Sequence, residues 1–431
     1  MGGTTWIAIG STVNGLAAFG FQLVGTRALG PSAYAPIGVL WTLQYLWIAV
    51  AVTAVEAYVT RMTTVSGPRS PELARFLRLF GRWLLVTGAV TAAGGWLLRD
   101  LLFDGIGALG MALGLVVVGY GWYAVIRGRA AGDEAFGVYG LATAAESVLR
   151  FIAAAVVLAI TATTRSLAWV FPVGPLAVIA WDAMHGRRRV QARHDAPSAD
   201  GRIDASSTRE GVVGQDGSSG SGQGRRRRGR RFLASASTAN ASVQVLLAGG
   251  PLVLLPLGAD AVAISIFFTT ITAARVPMTF ALNGGLSRLL PPLTRLSQAD
   301  DTAGLRRMSV WLVAGIIGTT AIAVAGAAAI GPEVIAVLFG DGFRPERPFV
   351  VLVVAGTVLA VGGLLLDQVY IATGREDRLP AVWLLAVAAA GVLVLLLSGT
   401  PTMRVATAFT LATAAAVVAL SIPVLRERST E

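Results

Sequence analysis

Five ionisable side chains stand inside long apolar stretches of this 431-residue sequence, where a charge is costly unless it is paired or hydrated. They are Glu56, Glu146, Arg150, Arg275 and Asp367. Arginine binds phosphate and carboxylate groups through a planar fork of donors. A carboxylate in such a place is typical of a proton or ion pathway. These residues are therefore the first candidates for a site that recognises or moves charge.

The spacing of these residues predicts different surroundings for each. Glu146 and Arg150 are four residues apart, so a helix places them on one face, as a self-neutralised pair or as part of a site. Arg275 has no acid three or four residues away and stands two residues before Pro277, which permits a helix kink. Its partner is then another helix, a ligand or water. Glu56 and Asp367 are candidates for that partner, or for carrying protons or ions.

Amide side chains add uncharged polar positions in the same apolar stretches. Asn14 and Gln22 belong to the first stretch and Gln244 to the seventh. Such amides form hydrogen bonds between helices or contact a substrate, and the sequence leaves both roles open.

The composition indicates which elements position these groups. Hydrophobic residues make up 55% of the chain and charged residues 14%, against about 25% in soluble proteins, which excludes an ordinary soluble enzyme. Apolar blocks of about 20 residues, the length that crosses a bilayer as a helix, recur twelve times. The sequence therefore predicts an all-α polytopic membrane protein. The predicted spans are Thr5–Gly25, Ala35–Val59, Phe76–Leu98, Leu109–Ile126, Val138–Thr161, Leu167–Met184, Phe232–Pro256, Ala261–Gly284, Val310–Ile330, Phe349–Thr373, Ala381–Ser398 and Val405–Val424.

The residue types that are missing from the sequence exclude several kinds of catalytic and metal site. The chain has no cysteine, and all 35 of its basic residues are arginine. Its two histidines, His185 and His194, both lie in a polar central segment. Thiol nucleophiles, disulfides and thiolate metal sites are excluded, and little remains for imidazole catalysis. We therefore expect a protein that is not an enzyme, with no catalytic residue, metal site or cofactor.

The distribution of arginine predicts the orientation in the membrane. If the N-terminus is cytoplasmic, the inner connections and their adjoining turns hold 27 arginines and the outer ones hold 6. The bias persists, at 15 to 6, when the central segment is left out. By the positive-inside rule, both termini are predicted to be cytoplasmic, in the cytoplasmic membrane.

The central segment divides the chain into two groups of six spans. Residues 1–184 and 232–424 are the predicted six-helix lobes, 185–231 a disordered basic cytoplasmic linker, and 425–431 a cytoplasmic tail. The linker carries Gly/Ser-rich sequence and an arginine run with almost no apolar residues, so it cannot fold alone. It is expected to hold this loop inside the cell and to contact anionic lipid headgroups. Nucleic-acid binding is not expected, because no folded module accompanies the charge.

A weak repeat relates the two groups of spans. Leu29-Gly30 precedes the second span and Leu257-Gly258 the eighth, and an arginine follows about thirty residues after each glycine, at Arg61 and Arg288. Chance similarity among Ala-, Leu- and Gly-rich helices is the alternative. A duplication would give parallel halves with a site between them near the membrane midplane, an architecture typical of transporters.

Short motifs in several connections resemble a known family. They are Thr26-Arg27-Ala28-Leu29-Gly30-Pro31 with Tyr34, then Arg127-Gly128 followed by Tyr139, Glu146 and Arg150, then Ala274-Arg275-Val276-Pro277 with Leu290-Pro291, and finally Phe339-Gly340 with Ile371-Ala372-Thr373-Gly374-Arg375. In order and spacing they are similar to polysaccharide flippases of the Wzx type. That family belongs to the multidrug/oligosaccharidyl-lipid/polysaccharide (MOP) superfamily, with the lipid II flippases and the MATE transporters. The long linker, and Ala35 in place of a common glycine, depart from the pattern.

The resemblance implies two six-helix lobes around a central cavity. It implies export of an undecaprenyl-diphosphate-linked glycan for cell-surface polysaccharide biosynthesis, by alternating access and without a cofactor. Arg27, Arg150 and Arg275 would then bind the diphosphate in the cavity, with Asn14, Gln22 and Gln244 as further substrate contacts. Glu56, Glu146 and Asp367 would be charge partners or ion-coupling groups. A monomer is expected, with envelope glycosyltransferases or a polymerase as candidate partners.

Three other functions remain open at this point. A MATE-like multidrug antiporter shares the superfamily, although its branch commonly places acids in the first or seventh span, where this chain has none. A membrane-embedded glycosyltransferase or polymerase is disfavoured, because the first outer loop has no acid and the longest outer loop, 331–348, is short. The third alternative is a scaffold that recruits envelope enzymes through the linker without transporting anything.

Overall fold

The computed structural model describes residues 3–68, 70–194, 237–299 and 301–426. Within these ranges the chain is helical and contains no strand. Long apolar runs favour helices because a helix satisfies its own backbone hydrogen bonds. The helices are α1 Gly3–Trp47, α2 Thr53–Ser66, α3 Pro71–Leu97, α4 Arg99–Leu102, α5 Gly107–Gly132, α6 Phe136–Ile160, α7 Thr164–Ala168, α8 Val173–His194, α9 237–248, α10 Gly250–Leu254, α11 Ala261–Gln298, α12 Thr302–Phe339, α13 Arg347–Ala372, α14 Leu379–Leu396 and α15 Pro401–Arg426.

The helices confirm the predicted all-helical membrane fold. In the described residues, nine helical stretches are long and apolar enough to cross a membrane, and the first of them, Thr5–Ser66, covers two predicted spans. A shorter apolar helix, Ala261–Pro277, falls on the predicted eighth span. The seventh falls on α9 and α10, and its first residues lie outside the described ranges. The count of twelve spans stays a prediction.

The structure describes only some of the residues at the predicted domain boundaries. Helix α8 continues to His194, beyond the predicted end of the sixth span at Met184. The rest of the predicted linker at 185–231, and most of the predicted tail at 425–431, lie outside the described residues. The division into two lobes by this linker remains a prediction.

A break inside α1 separates the first two predicted spans. Gly30 has φ 73° and ψ 173°, a conformation that glycine adopts without steric cost, and Pro31 follows with no N–H to donate. Gly258, its counterpart in the sequence repeat, has φ 71° just before α11. The two Leu-Gly pairs therefore have the same backbone feature at corresponding positions of the two halves.

A second correspondence, which the sequence analysis missed, strengthens the repeat. Phe103-Asp104-Gly105 follows the third predicted span, and Phe339-Gly340-Asp341-Gly342 follows the ninth. Both phenylalanines are fully buried, and Gly105 and Gly340 both have positive φ. The positive-φ glycine stands two residues after Phe103 and one residue after Phe339, so the two turns are similar without being identical.

Helices within the first half pack through small residues. A Cβ atom on Gly10 would lie 2.5 Å from the carbonyl oxygen of Gly140, so α1 and α6 are in backbone contact there. A Cβ on Gly95 would lie 2.8 Å from Cα of Gly110, which gives the same contact between α3 and α5. Such close approach is typical of helix packing in membranes.

The two halves meet along α1 and α11. The Phe268 ring of α11 packs against Gly38 of α1, where a Cβ would lie 3.1 Å from the ring, and its centroid is 6.2 Å from that of Tyr34. Helices from opposite halves therefore form the two walls of the space in which the candidate site lies.

Candidate functional site

A cavity of about 220 Å³ lies between the two halves. Its described lining comes from both parts of α1, on either side of the break at Gly30, and from α11. The lining residues are Ser11, Asn14, Gly15, Ala18, Phe19, Gln22, Tyr45, Thr272, Arg275 and Val276. Hydroxyl, amide and guanidinium groups thus face one space from two walls that belong to different halves.

Arg275 supplies the charge of this cavity, as the one Asp, Glu or Arg side chain among its described lining residues. Its Nη2 atom donates a hydrogen bond to Oε1 of Gln244 on α9, at 3.1 Å. Its guanidinium also lies over the Tyr45 ring, 5.0 Å from the centroid. A neighbouring helix and an aromatic ring of the opposite half therefore orient the group, which stays half-buried at the wall.

Gln22 is a buried amide of the cavity wall, with an acceptor that is unpaired among the described residues. The side chain is 1% exposed, and its Oε1 accepts no hydrogen bond within the described part of the chain. A buried acceptor without a partner is costly, so such atoms are normally satisfied by water or a ligand. Gln22 lines the cavity as a residue, but its Oε1 has almost no accessible surface, so a ligand would reach that atom only after the side chain shifts.

Behind this wall, a buried network surrounds the Glu146–Arg150 pair. Nη1 of Arg150 lies 3.2 Å from Oε1 of Glu146, and both residues are 3% exposed. The Tyr120 hydroxyl donates to Glu146 at 2.5 Å and accepts from Arg150 at 2.5 Å. The Gln44 amide donates to the same hydroxyl at 3.0 Å. The sequence therefore correctly places both charges on one helix face, and α1 and α5 provide further partners.

Asn14 connects this network with the cavity. The Ser147 hydroxyl lies between Oδ1 of Asn14 and Oε2 of Glu146, to which it is bonded at 2.7 Å. Because Asn14 also lines the cavity, a chain of three side chains leads from the cavity surface to the buried glutamate.

An aromatic pair separates the two arginines. The Arg150 guanidinium lies over the Trp41 ring, 4.8 Å from its centroid, and Arg275 lies over Tyr45. The Trp41 and Tyr45 rings are themselves 5.9 Å apart. Both aromatic residues were missed in the sequence analysis, although their spacing of four residues beside Gln44 places them on one helix face.

Arg27 lies at a different contact between the halves. Its Nε donates to the carbonyl oxygen of Leu338 at 3.0 Å and its Nη2 to that of Val337 at 2.5 Å. These carbonyls end α12, where unpaired acceptors and the helix dipole favour a cation. Near them Phe19 and Phe339 meet edge to face. The structure does not bring Arg27 to the described lining of the cavity.

The two remaining acids have partners of their own. Glu56 binds Nη2 of Arg127 at 3.1 Å and the Tyr139 hydroxyl at 2.9 Å. Asp367 is 5% exposed and accepts from Nε1 of Trp383, at 3.2 Å and 3.1 Å to its two oxygens. Within the described residues, no three His, Cys, Asp or Glu side chains group together as metal ligands would.

No family model and no curated protein sequence matches the chain. Solved structures match it over nearly its full length. An inward-facing multidrug resistance MATE family transporter of the MOP superfamily has TM-score 0.64 at 13% identity, covering 98% of this chain and 100% of that chain. The lipid II flippase MurJ, in an inward closed conformation, has TM-score 0.62 at 10% identity, covering 97% and 87%. The MATE multidrug transporter DinF-BH has 0.61 at 12%, covering 99% and 94%.

This likeness shows that the chain has the fold of MOP-superfamily transporters, as its motifs predict. The matching structures named here are transporters and a flippase. A MATE family transporter in an outward-facing conformation matches less well, with TM-score 0.52 at 14% identity over 98% and 93% of the two chains.

Proposed function

We propose that the chain is a flippase that moves a polyprenyl-diphosphate-linked oligosaccharide across the cytoplasmic membrane by alternating access. The observation that carries this proposal is the cavity between the halves, with Arg275 as the charge of its described wall and amides beside it. A cationic, hydrogen-bonding cavity lowers the cost of moving an anionic, hydroxyl-rich headgroup through the membrane. The fold that the chain shares with MOP transporters supports the same conclusion.

Each polar side chain of the cavity has its own role in the proposal. The Arg275 fork binds the oxygens of the diphosphate, held in place by Gln244 and Tyr45. The side-chain amides of Gln22 and Asn14 are the proposed polar contacts for the sugar hydroxyls. The polyprenyl tail, being apolar, stays in the bilayer beside the two walls.

Alternating access requires that one end of the cavity be closed. Arg27 closes the end near Gly30 and α12 by bonding to carbonyls of the opposite half. The predicted orientation, with the N-terminus inside, would make this the outer end, and we propose on that basis that the molecule is inward-facing. The higher TM-score to the inward-facing MATE transporter, 0.64 against 0.52, supports this assignment. Arg27 then acts in closing the cavity, and Arg150 in holding the first half together.

The orientation can be tested because the chain has no cysteine of its own. Both termini are proposed to be cytoplasmic. Gly342→Cys should react with an impermeant thiol reagent in intact cells, whereas Ser218→Cys should react only after permeabilisation. Labelling of Ser218→Cys from outside would reverse inner and outer ends throughout the proposal.

Coupling to an ion is proposed for the buried acids. Asp367 has an indole N–H as its partner and no arginine within ion-pair distance among the described residues. Glu146 is reached from the cavity through Ser147 and Asn14. Binding of a proton or cation at Asp367, and rearrangement around Glu146 when the cavity is occupied, would link ion movement to the change of access.

Multidrug export is the second candidate, because MATE transporters are among the matching structures. Cationic drugs favour acidic sites, and no carboxylate belongs to the described lining of this cavity. The cavity's charge therefore favours an anionic substrate, and transport of the two substrate classes separates the candidates.

Reconstituted transport tests the proposal directly. Proteoliposomes are prepared with a polyprenyl-diphosphate oligosaccharide that carries a fluorophore on its sugar, and impermeant dithionite is added outside. The full-length protein should raise the bleached fraction well above the half that protein-free vesicles show. Over the time in which the unchanged protein completes bleaching, Arg275→Ala should leave the bleached fraction close to that half. Arg165→Ala, which removes an exposed arginine outside the described lining of the cavity, is the matched control and should behave like the unchanged protein.

The same vesicles are then loaded with a cationic dye. We expect no transport of the dye by the unchanged protein. Dye transport without movement of the lipid-linked sugar would contradict the flippase and favour the multidrug transporter. Absence of both, with the protein correctly inserted, would contradict transport of either class.

A further inference from the structure

Helix α3 has two opposite faces of different chemistry. Leu73, Leu77 and Leu84 are buried, and the last of them packs on α5 at Gly121. Arg75, Arg78 and Arg82 are exposed. At 100° per residue these three arginines fall within an arc of about 60°, on the side away from the buried leucines. We refer to these three as the arginine stripe.

The stripe reaches into the membrane-spanning part of α3. Gly81 faces Trp122 and Leu84 packs against Gly121, so Arg82 lies level with residues 121–122 of α5. The apolar run of α5 ends at Arg127, which is about 8 Å nearer the inner end of the helix. Arg82 therefore stands about one and a half helical turns within the apolar run, facing outward from the protein.

The stripe has no protein counter-ion in the described part of the chain. None of its three arginines forms an ion pair with a described carboxylate. Arginine can bend its head towards the membrane surface, and a single arginine at the end of a span is explained by that alone. Three in one line, rising about 10 Å along the helix, form a row of unpaired cationic forks on a lipid-facing surface.

A row of aromatic rings runs along a different side of α3, about a third of a turn around the helix from the stripe. Tyr58 contacts Phe76 with centroids 4.5 Å apart, Phe76 stacks on Phe80 at 5.5 Å, and Phe80 on Trp83 at 5.9 Å. Trp83 then stacks on Trp47 at 6.2 Å. We refer to these five residues as the aromatic row. It ends at Trp47, two residues from Tyr45 of the cavity wall.

We propose that the arginine stripe and the aromatic row together form a docking surface for a diphosphate-bearing isoprenoid lipid in the inner leaflet, before the headgroup enters the cavity. Each phosphate of a diphosphate can accept a bidentate pair of hydrogen bonds from an arginine fork, so successive stripe residues hold one headgroup. The isoprenoid chain lies along the rigid aromatic row. The surface thereby leads the substrate from the edge of the first half to the part of α1 that lines the cavity. This inference rests on the proposed function.

Binding of the lipid to the purified protein tests the surface separately from transport. Undecaprenyl diphosphate is titrated into the full-length protein in nanodiscs of zwitterionic lipid, and bound lipid is counted by native mass spectrometry. The variant Arg75→Gln/Arg78→Gln/Arg82→Gln should bind about tenfold more weakly, the order expected for the loss of one or two charge-assisted hydrogen bonds. The matched control is Arg295→Gln/Arg306→Gln/Arg307→Gln, which removes three exposed arginines of the second half and should bind like the unchanged protein.

Two further measurements separate this surface from general attraction of anionic lipid. The variant Arg75→Lys/Arg78→Lys/Arg82→Lys keeps the charge and loses the fork, so it should lose most of the preference for undecaprenyl diphosphate over phosphatidylglycerol. The proposal would be overturned if the glutamine variant and its control lost affinity equally. It would also be overturned if the unchanged protein bound the two lipids with equal affinity. Either result would mean that the stripe is only a basic surface that attracts anionic lipid in general.

Failure of the docking surface and failure of the flippase give different results. In one outcome, the unchanged protein moves no lipid-linked sugar while its diphosphate binding still depends on the stripe. That result would support the docking surface and contradict the transport proposal. If transport occurs and the glutamine variant binds undecaprenyl diphosphate with unchanged affinity, the docking-surface proposal is contradicted and the flippase proposal is supported.

Discussion

Arg150 and Arg275 lie on opposite sides of one aromatic pair, yet their surroundings differ in every other respect. Arg150 is 3% exposed and is held by Glu146 and Tyr120 within the first half. Arg275 is half-buried on the cavity wall and is oriented by an amide and an aromatic ring. The resemblance gives both the same task, whereas their contacts favour a structural role for Arg150 and a binding role for Arg275.

The difference shows what a charge in a membrane span does. A charge whose hydrogen bonds and counter-charge are supplied within one half stabilises that half, and its loss strands its partner. A charge that faces a cavity between halves can contact a ligand differently in each conformation. The burial of a charged side chain and its bonding partners therefore indicate whether it stabilises the fold or binds a ligand. Its presence in a membrane span does not by itself separate these roles.

Removal of Arg150 should have the largest effect on stability. Arg150→Ala leaves the Glu146 carboxylate buried beside Tyr120 without its counter-charge. A stranded buried charge costs about 3–5 kcal/mol of unfolding free energy. We expect a lower midpoint in detergent unfolding and reduced abundance in the membrane. Arg275→Ala is the comparison and should leave both close to normal.

A double variant sharpens this expectation. Glu146→Leu/Arg150→Met removes both charges and keeps the volume, so most of the lost stability should return. If the double variant were as unstable as Arg150→Ala, the network would contribute through Tyr120 and Ser147 more than through the ion pair. If Arg150→Ala were fully stable and inactive in transport, the contrast between the two arginines would be wrong.

Arg275→Ala should have the largest effect on transport. Loss of two charge-assisted hydrogen bonds of about 1.5 kcal/mol each lowers the rate at limiting substrate roughly 100-fold. Arg275→Lys should restore only part of it, because an ammonium group lacks the planar fork. The bleaching rate in proteoliposomes measures both variants at equal protein content. Wild-type transport by Arg275→Ala would remove this residue from the substrate site.

The positions of the helices could be predicted from the sequence because each depends on local composition. Apolar runs of about twenty residues with arginine at their ends predict where spans lie, and Leu29-Gly30 and Leu257-Gly258 predict equivalent breaks. The Glu146–Arg150 pair could also be predicted, since both groups belong to one helix. These features require no knowledge of which helices are neighbours.

The clusters could not be predicted because they depend on tertiary contacts. Asn14 and Ser147 are separated by 133 residues along the chain, and Arg27 and Leu338 by 311. No pattern in one sequence indicates that the first side chain of each pair meets the second. The sequence therefore groups Arg27 with the other arginines by residue type, whereas the structure places it at the end of α12.

Arg27→Ala should shift the balance between the two access states. Loss of its two hydrogen bonds to the α12 carbonyls weakens outer closure by about 1–2 kcal/mol, which changes the populations roughly tenfold. Ser11→Cys, placed in the cavity wall of the cysteine-free chain, reports the result. Its reaction with an impermeant thiol reagent added from outside should become several-fold faster in the Arg27→Ala background.

The same reporter with Arg165→Ala provides the control, because Arg165 is also an exposed arginine near the predicted outer surface. Its labelling rate should be unchanged. Slower outside labelling in Arg27→Ala would mean that Arg27 holds the cavity open, and would reverse the assignment of the closed end.

Asn14→Ala should give the smallest effect, and it tests whether the two arginine environments communicate. The Ser147 hydroxyl keeps its bond to Glu146 when Asn14 is removed, so the loss of stability should be about 1 kcal/mol. Transport is compared in the single variants and in Asn14→Ala/Arg275→Ala. If Asn14 transmits cavity occupancy to the buried pair, the two transport effects should depart from additivity by about 0.5 kcal/mol or more. Strict additivity would mean that the cavity and the Glu146–Arg150 network act independently, because residues that share no interaction normally contribute independent free energies.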